Sequence, residues 1–141
     1  MRVMVLVKAN ADTEAGVLPA ENLMVEMGKY NEALVDAGIL LAGDGLQPTA
    51  KGVRVRFHGA DRTVVSGPFD SNDLVAGFWI WKVDSMEQAI EWAKRCPNPT
   101  GTHSELEIRP IFETEDFADL DPTGELRKAE HALRARVEGK A

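Results

Sequence analysis

Apolar positions recur along the chain with two periods, and the switches between them mark out the elements. Val3 to Val7 is an unbroken apolar run between Arg2 and Lys8, the pattern of a strand buried on both faces. Asn10 to Gly16 is polar and predicts a loop. Leu23, Met27, Tyr30 and Leu34 then recur at intervals of four, three and four residues, which lines them along one face of a helix. Pro19 suits the first turn of that helix, Glu21 and Glu26 lie near its positive end, and Gly38 is placed to end it as a left-handed cap. Ile39 to Ala42 reads as a second apolar strand, closed by Gly43-Asp44-Gly45.

Beyond this point the period shortens. Val53, Val55 and Phe57 alternate with Arg54, Arg56 and His58, as in a half-exposed strand. Gly59-Ala60-Asp61 turns the chain, Arg62 to Ser66 returns as the partner of a hairpin, and Gly67-Pro68 breaks it. Val75 to Val83 is the longest predicted strand, with Val75, Trp79, Trp81 and Val83 on one face and Ala76, Phe78 and Ile80 on the other. Ser85 with Gln88 predicts a capping box that opens a second helix. Met86, Ala89, Ile90 and Ala93 form its buried stripe, and Pro97 stops it. A loop over Asn98 to His103 leads to a last strand, in which Leu106, Ile108 and Phe112 alternate with Glu105, Glu107 and Arg109. Asp121-Pro122 then marks a third helix carrying Leu126, Ala129, Leu133 and Val137.

The order is strand, helix, strand, hairpin, strand, helix, strand, appended helix. It predicts an α+β domain over residues 1–117, a ferredoxin-like and mainly antiparallel sheet with two helices on one face, and a C-terminal helical extension over 118–141. Two helices cover one face only, while strands one, two and the Val75 strand are apolar on both. A second copy of the same sheet is the simplest cover, which predicts a two-fold symmetric homodimer.

Composition narrows the partners. The chain has 141 residues and a net charge of -7 from 23 acidic and 16 basic side chains, a field that repels phosphate backbones and argues against nucleic acid. Cys96 is the only cysteine, so no internal disulfide is expected and a reducing compartment is. The apolar start is too short for a signal-peptide core, and no stretch approaches the ~20 apolar residues of a membrane span. A soluble cytoplasmic protein is expected.

Four blocks carry a family resemblance: YNEALVDAGILLAGDGLQP from Tyr30 to Pro48, SGPF from Ser66 to Phe69, GFWIWKVDSMEQAIEWAKRCP from Gly77 to Pro97, and EIRPIFETEDF from Glu107 to Phe117. With the stretch from Met24 that they span, they resemble the YCII-related proteins, in the branch often called DGPF-domain proteins. The resemblance implies the dimeric α+β barrel, with ferredoxin-like protomers packed sheet to sheet. It also implies either a small enzyme, since some relatives such as a dehydrochlorinase use a His–Asp pair, or a regulatory module associated with an extracytoplasmic-function sigma factor. Ser66 stands where the family motif has aspartate, Asp70-Ser71-Asn72-Asp73 replaces its usual acidic-basic run, and Asn22 lies nearest the place of the enzymatic relatives' helix-start histidine.

Candidate chemistry is sparse. His58, His103 and His131 are scattered, and one cysteine without paired spacing excludes a His/Cys zinc cluster. Asp44 between two glycines is either an exposed general base or substrate anchor, or an aspartate satisfying turn amides. Arg109, on the polar phase of the last strand, is either half of a structural ion pair or an anion holder. Ser66 has no adjacent base and fits a turn-fixing hydrogen bond better than a nucleophile. The tryptophans fit core or interface packing better than a stacking platform. A ligand pocket between the first helix and the sheet is expected, with Asp44 and Arg109 as catalytic pair and Met27, Tyr30, Gln47, Ser66, Phe69 and Phe78 as lining. Cofactor-independent proton transfer, elimination or isomerisation is the expected class. No cofactor is expected, because Gly43-Asp44-Gly45 is too short for a phosphate-binding loop, and no metal is expected, because three scattered histidines and one cysteine offer no ligand cluster.

Overall fold

The computed structural model describes residues 1–100 and 103–139. Residues 101 and 102 of the expected Asn98–His103 loop, and the last two of the expected extension, lie outside the described residues. The chain divides into two compact units, Met1–Pro110 and a second from Ile111 on.

The first unit begins with β1 (Arg2–Lys8), a single helical turn α1 (Ala11–Glu14) and the long helix α2 (Glu21–Asp36). β2 (Leu40–Gly45), a short 3-10 turn at Thr49–Lys51, and the hairpin β3 (Val53–His58) and β4 (Asp61–Ser66) follow. β5 (Val75–Lys82), α3 (Met86–Lys94) and β6 (Leu106–Pro110) complete it. The main sheet has the order β2-β5-β1-β6, and every neighbouring pair is antiparallel. With α2 between β1 and β2 and α3 between β5 and β6, this is the ferredoxin-like arrangement.

Register decides which side chains share a face. Val3 opposes Trp81 and Val5 opposes Trp79, while Leu40 and Gly43 of β2 oppose the same two tryptophans. Directly opposed residues point to one side, and that side is the core. Val3, Val5 and Trp81 are fully enclosed with Leu34 of α2, and Tyr30, Ile39, Trp79, Val83 and Ala89 join them. The other phase carries Met4, Leu6, Phe78 and Ile80, all half-buried. The apolar runs of β1 and β5 therefore form an α+β layer with one closed face, while the second face, which their patterns also predict to be covered, is half-buried in the single chain.

Several elements differ from expectation for local reasons. The Asn10–Gly16 loop holds a helical turn, because Asn10 Oδ1 accepts from the Thr13 N–H at 2.9 Å and Thr13 Oγ1 accepts from the Asn10 N–H at 2.8 Å. Pro19 precedes the Ala20 cap of α2 and so stands outside its first turn. Gly38 ends the helix with φ +73°, as the left-handed cap requires. Gly43-Asp44-Gly45 is strand rather than turn, in register with Trp79, Phe78 and Gly77. Ser85 Oγ accepts from the Gln88 N–H at 3.1 Å, but Gln88 Oε1 takes the Asp84 N–H, one residue before a capping box would have it. Ile90 faces outward, and Trp92 and Cys96 pack against the core instead.

The hairpin is a two-stranded sheet of its own, with Val53, Val55, Phe57 and Val64 all exposed. Its alternation is present without the half-burial that alternation predicts. β6 stops at Pro110, which brings no N–H to a ladder, so Phe112 falls outside the strand and is 70% exposed.

The second unit contains a 3-10 helix (Thr114–Leu120) that no sequence period announces, and α4 (Glu125–Glu138). α4 starts beyond Asp121-Pro122 because the Asp121 carboxylate caps it from below, accepting from the Leu126 N–H at 3.1 Å and the Arg127 N–H at 2.9 Å. Those amides and the Arg127 guanidinium hold the Asp121 carboxyl below its usual range. The stripe Leu126, Ala129, Leu133 and Val137 is exposed. No helix of the described residues is long and apolar enough to cross a membrane.

Candidate functional site

The core is closed at one end and open at the other. Under the N-terminal half of α2, three positions on the helix-facing side of the sheet are glycines: Gly43 and Gly45 on β2, and Gly77 on β5, which opposes Gly45. With no side chains to fill the layer, a cleft of about 470 Å³ remains, within the range of small-molecule sites. Met27 and Asn31 of α2 form its roof. Val7, Leu40 and Trp79 wall it, Asp44 and Phe78 stand at the β2–β5 edge, and Pro99 lies at the mouth.

Trp79 organises this wall. A Cβ on Gly43 would stand 2.6 Å from Trp79 Cδ1, so the indole lies flat across a position only glycine vacates. Its Nε1–H donates to Asn31 Oδ1 at 2.9 Å, and the Tyr30 ring meets it edge-on, centroids 5.9 Å apart at 75°. Asp44 borders the cleft and is exposed; it opposes Phe78, so by strand alternation its side chain is on the phase away from α2.

Three of the sequence-predicted residues, Met27, Asp44 and Phe78, meet here. The others do not. Tyr30 is buried behind Trp79, and its hydroxyl donates to the Trp92 carbonyl, so it offers no polar handle to a ligand. Burial drives the Tyr30 hydroxyl pKa far above its usual value. The Cys96 thiol nearby is pushed up to about 11 by the same desolvation.

Arg109 lies on β6 and Asp44 on β2, at opposite edges of the sheet. Three strand spacings put their backbones about 14 Å apart, so the expected catalytic pair is not assembled within one chain. Gln47 is exposed beyond the end of β2. Ser66 ends β4 opposite Val53, and Phe69 lies under the Arg54 guanidinium, 3.8 Å from the ring centroid. The Phe69 N–H is held by Thr49 Oγ1 at 3.0 Å. Phe69 lines a separate polar cleft with Asn10, Glu14 and Asp70.

Sequence reasoning missed Asn31 and Gly77, and took Gly43 and Gly45 for a turn rather than for the floor of a cleft. Asn31 follows Met27 by one helical turn, which puts an amide on the lining face. Among the described residues no group of three or more His, Cys, Asp or Glu side chains could hold a metal ion.

A family model of the YCII-related domain matches residues 1–115. The uncharacterized protein R00369 of Rhizobium meliloti (strain 1021) is 25% identical over 92 residues, which cover 64% of this chain and 74% of that protein. Among solved structures, the chain is similar to TftG, the 5-chloro-2-hydroxyhydroquinone dehydrochlorinase of Burkholderia phenoliruptrix AC1100 in complex with 2,5-dihydroxybenzoquinone. That likeness has a TM-score of 0.47 and 12% identity, and covers 82% of this chain and 98% of TftG.

Proposed function

The chain belongs to the YCII-related family, and from that premise and the cleft under α2 we propose a protein that binds and transforms a small organic ligand there. The carrying observation is the glycine floor. Three side chains are missing where a core would have them, and leaving a layer unfilled forfeits packing energy. An empty volume of ligand size, with an aromatic wall and an amide in its roof, supports a site over a packing defect.

Asp44, on the edge strand β2 beside the cleft, is the base in this proposal and takes a proton from a ligand that reaches round that edge; the transfer needs no cofactor. Arg109 has no part in it within one protomer. A second copy of the chain is the cover we assign to the Met4, Leu6, Phe78 and Ile80 face, as a symmetric homodimer. The unpaired Cys96 supports a cytoplasmic setting. The regulatory alternative, a module for an extracytoplasmic-function sigma factor, rests on the family resemblance alone.

Filling the cleft tests the proposal. A Cβ on Gly45 meets nothing within 4 Å, so Gly45→Leu should fold and occupy the volume. Small organic compounds that raise the melting temperature of the natural chain should then have no effect on the variant. Equal responses from both proteins would place the ligand elsewhere.

A further inference from the structure

Among the described residues, β2 is an edge strand of the main sheet, with β5 on one side and no strand on the other. Its ladder has a fixed phase. The Leu46 N–H donates to the Ala76 carbonyl at 2.8 Å, and in an antiparallel pair every second residue bonds the neighbouring strand. Asp44 and Ala42 share that phase, opposite Phe78 and Ile80. Gly43 and Gly45 lie between them in phase, so their N–H and C=O groups turn to the open edge, where both residues are exposed. Open edges are ordinarily guarded by proline, charge or a bulge. Here the irregularity falls earlier, between Leu40 and Ala42, and Asp44 is the only charged residue of the strand. Glycine inside a strand suits the close approach of another backbone.

We propose that the β2 edge takes an extended peptide segment as an added antiparallel strand, with a lysine or arginine opposite Asp44 and an apolar residue on either side of it. Pairing with Gly43 and Gly45 exchanges two hydrogen bonds with each. Opposed residues point to one side of a sheet. The peptide residues opposite the glycines therefore project on the α2 side, toward the cleft and the adjoining groove of Leu23, Met24 and Gly28. The residue between them projects on the other face, beside the exposed Asp44 carboxylate, where a cation is favoured. The same charge argues against a second copy of the chain as the added strand. Self-pairing through both glycines sets Asp44 directly opposite its own counterpart, and like charges facing each other across a ladder destabilise it. The net charge of -7 favours the same cationic class of partner. This goes beyond the small-ligand reading of the cleft, which needs no strand at the edge.

Ac-Val-Lys-Val-NH₂ and its variants, titrated into the full chain and followed by backbone amide signals, test it. The Gly43 and Gly45 amides should shift. N-methylation of either valine removes a ladder donor and should weaken binding about fivefold. N-methylation of the lysine, whose N–H points away from the edge, should cost little. Ac-Val-Glu-Val-NH₂ should bind about fivefold more weakly than the lysine peptide, and Asp44→Lys should reverse that order. Equal losses from valine and lysine N-methylation, or a preference for lysine untouched by Asp44→Lys, would overturn the inference. Protection of the Gly43 and Gly45 amides that rises with protein concentration in the absence of peptide would assign the edge to a second copy and overturn it as well. Peptides that leave both glycine amides unmoved would also sink it, and the cleft would then stand or fall on small compounds and Gly45→Leu alone.

Discussion

Two tryptophans, two residues apart on β5, mark the difference between the ends of the helix–sheet layer. At the Trp81 end, Val3 and Leu34 close around the ring with no exposure, and the indole N–H is buried without a partner among the described residues. At the Trp79 end, glycines replace the side chains that would complete the layer, and the indole N–H finds Asn31 at the roof of a cleft. The same strand serves packing at one end and, under the proposed function, recognition at the other. An orphaned indole donor costs about 1–3 kcal/mol, a penalty the sealed end carries through its packing. The hollow end gives up packing instead and leaves a cleft open.

The largest expected effect separates the ends by stability. Leu34→Ala should cost about 2–5 kcal/mol, because a closed core cannot collapse around the void. Met27→Ala, over a volume already empty, should cost clearly less. Denaturant titration of both variants checks this, and equal losses would erase the contrast.

Next comes Gly43→Ala. Its Cβ would intrude to 2.6 Å from Trp79 Cδ1, so the indole must shift, at about 1–3 kcal/mol for an overpacked site. The Trp79 indole N–H resonance should move with it, and an unmoved signal would mean the wall is not held as described.

The layer's pattern was legible in sequence and the cleft was not. Val3 to Val7 and the Val75 run became β1 and β5 because a doubly apolar stretch has few other fates. Leu23, Met27, Tyr30 and Leu34 line α2 as their spacing says. Gly43 and Gly45 read as a turn, since glycine usually punctuates; here they are strand residues kept small for Trp79 and the cleft. The phase of Asp44 and Arg109 follows from alternation, but periodicity does not record strand order. The ferredoxin-like order puts the second and last strands of the main sheet at opposite edges, which separates the two residues. The hairpin shows the same limit: alternation identifies the apolar side of β3, not what covers it.

A smaller effect concerns pH at the closed side of the layer. Cys96 packs against the core, and desolvation raises its thiol to about 11. The unfolded chain releases that proton from about pH 8.5 upward while the folded chain keeps it. The thiol's contribution to stability is therefore full below about pH 8.5 and is lost as pH rises through the folded value. Relative to Cys96→Ala, stability should fall over that window, and alkylation by iodoacetamide near pH 8 should be slow. Rapid alkylation of the folded chain would show that this side is open too.

The most direct test of a hollow end built for a ligand is an amide and indole N–H map of the full chain, recorded with and without a small organic compound that raises its melting temperature. The Gly45 and Gly77 amides and the Trp79 indole should shift together while the Trp81 indole stays fixed. Shifts centred on Trp81, or on the second unit with Gly45 and Gly77 unmoved, would contradict it.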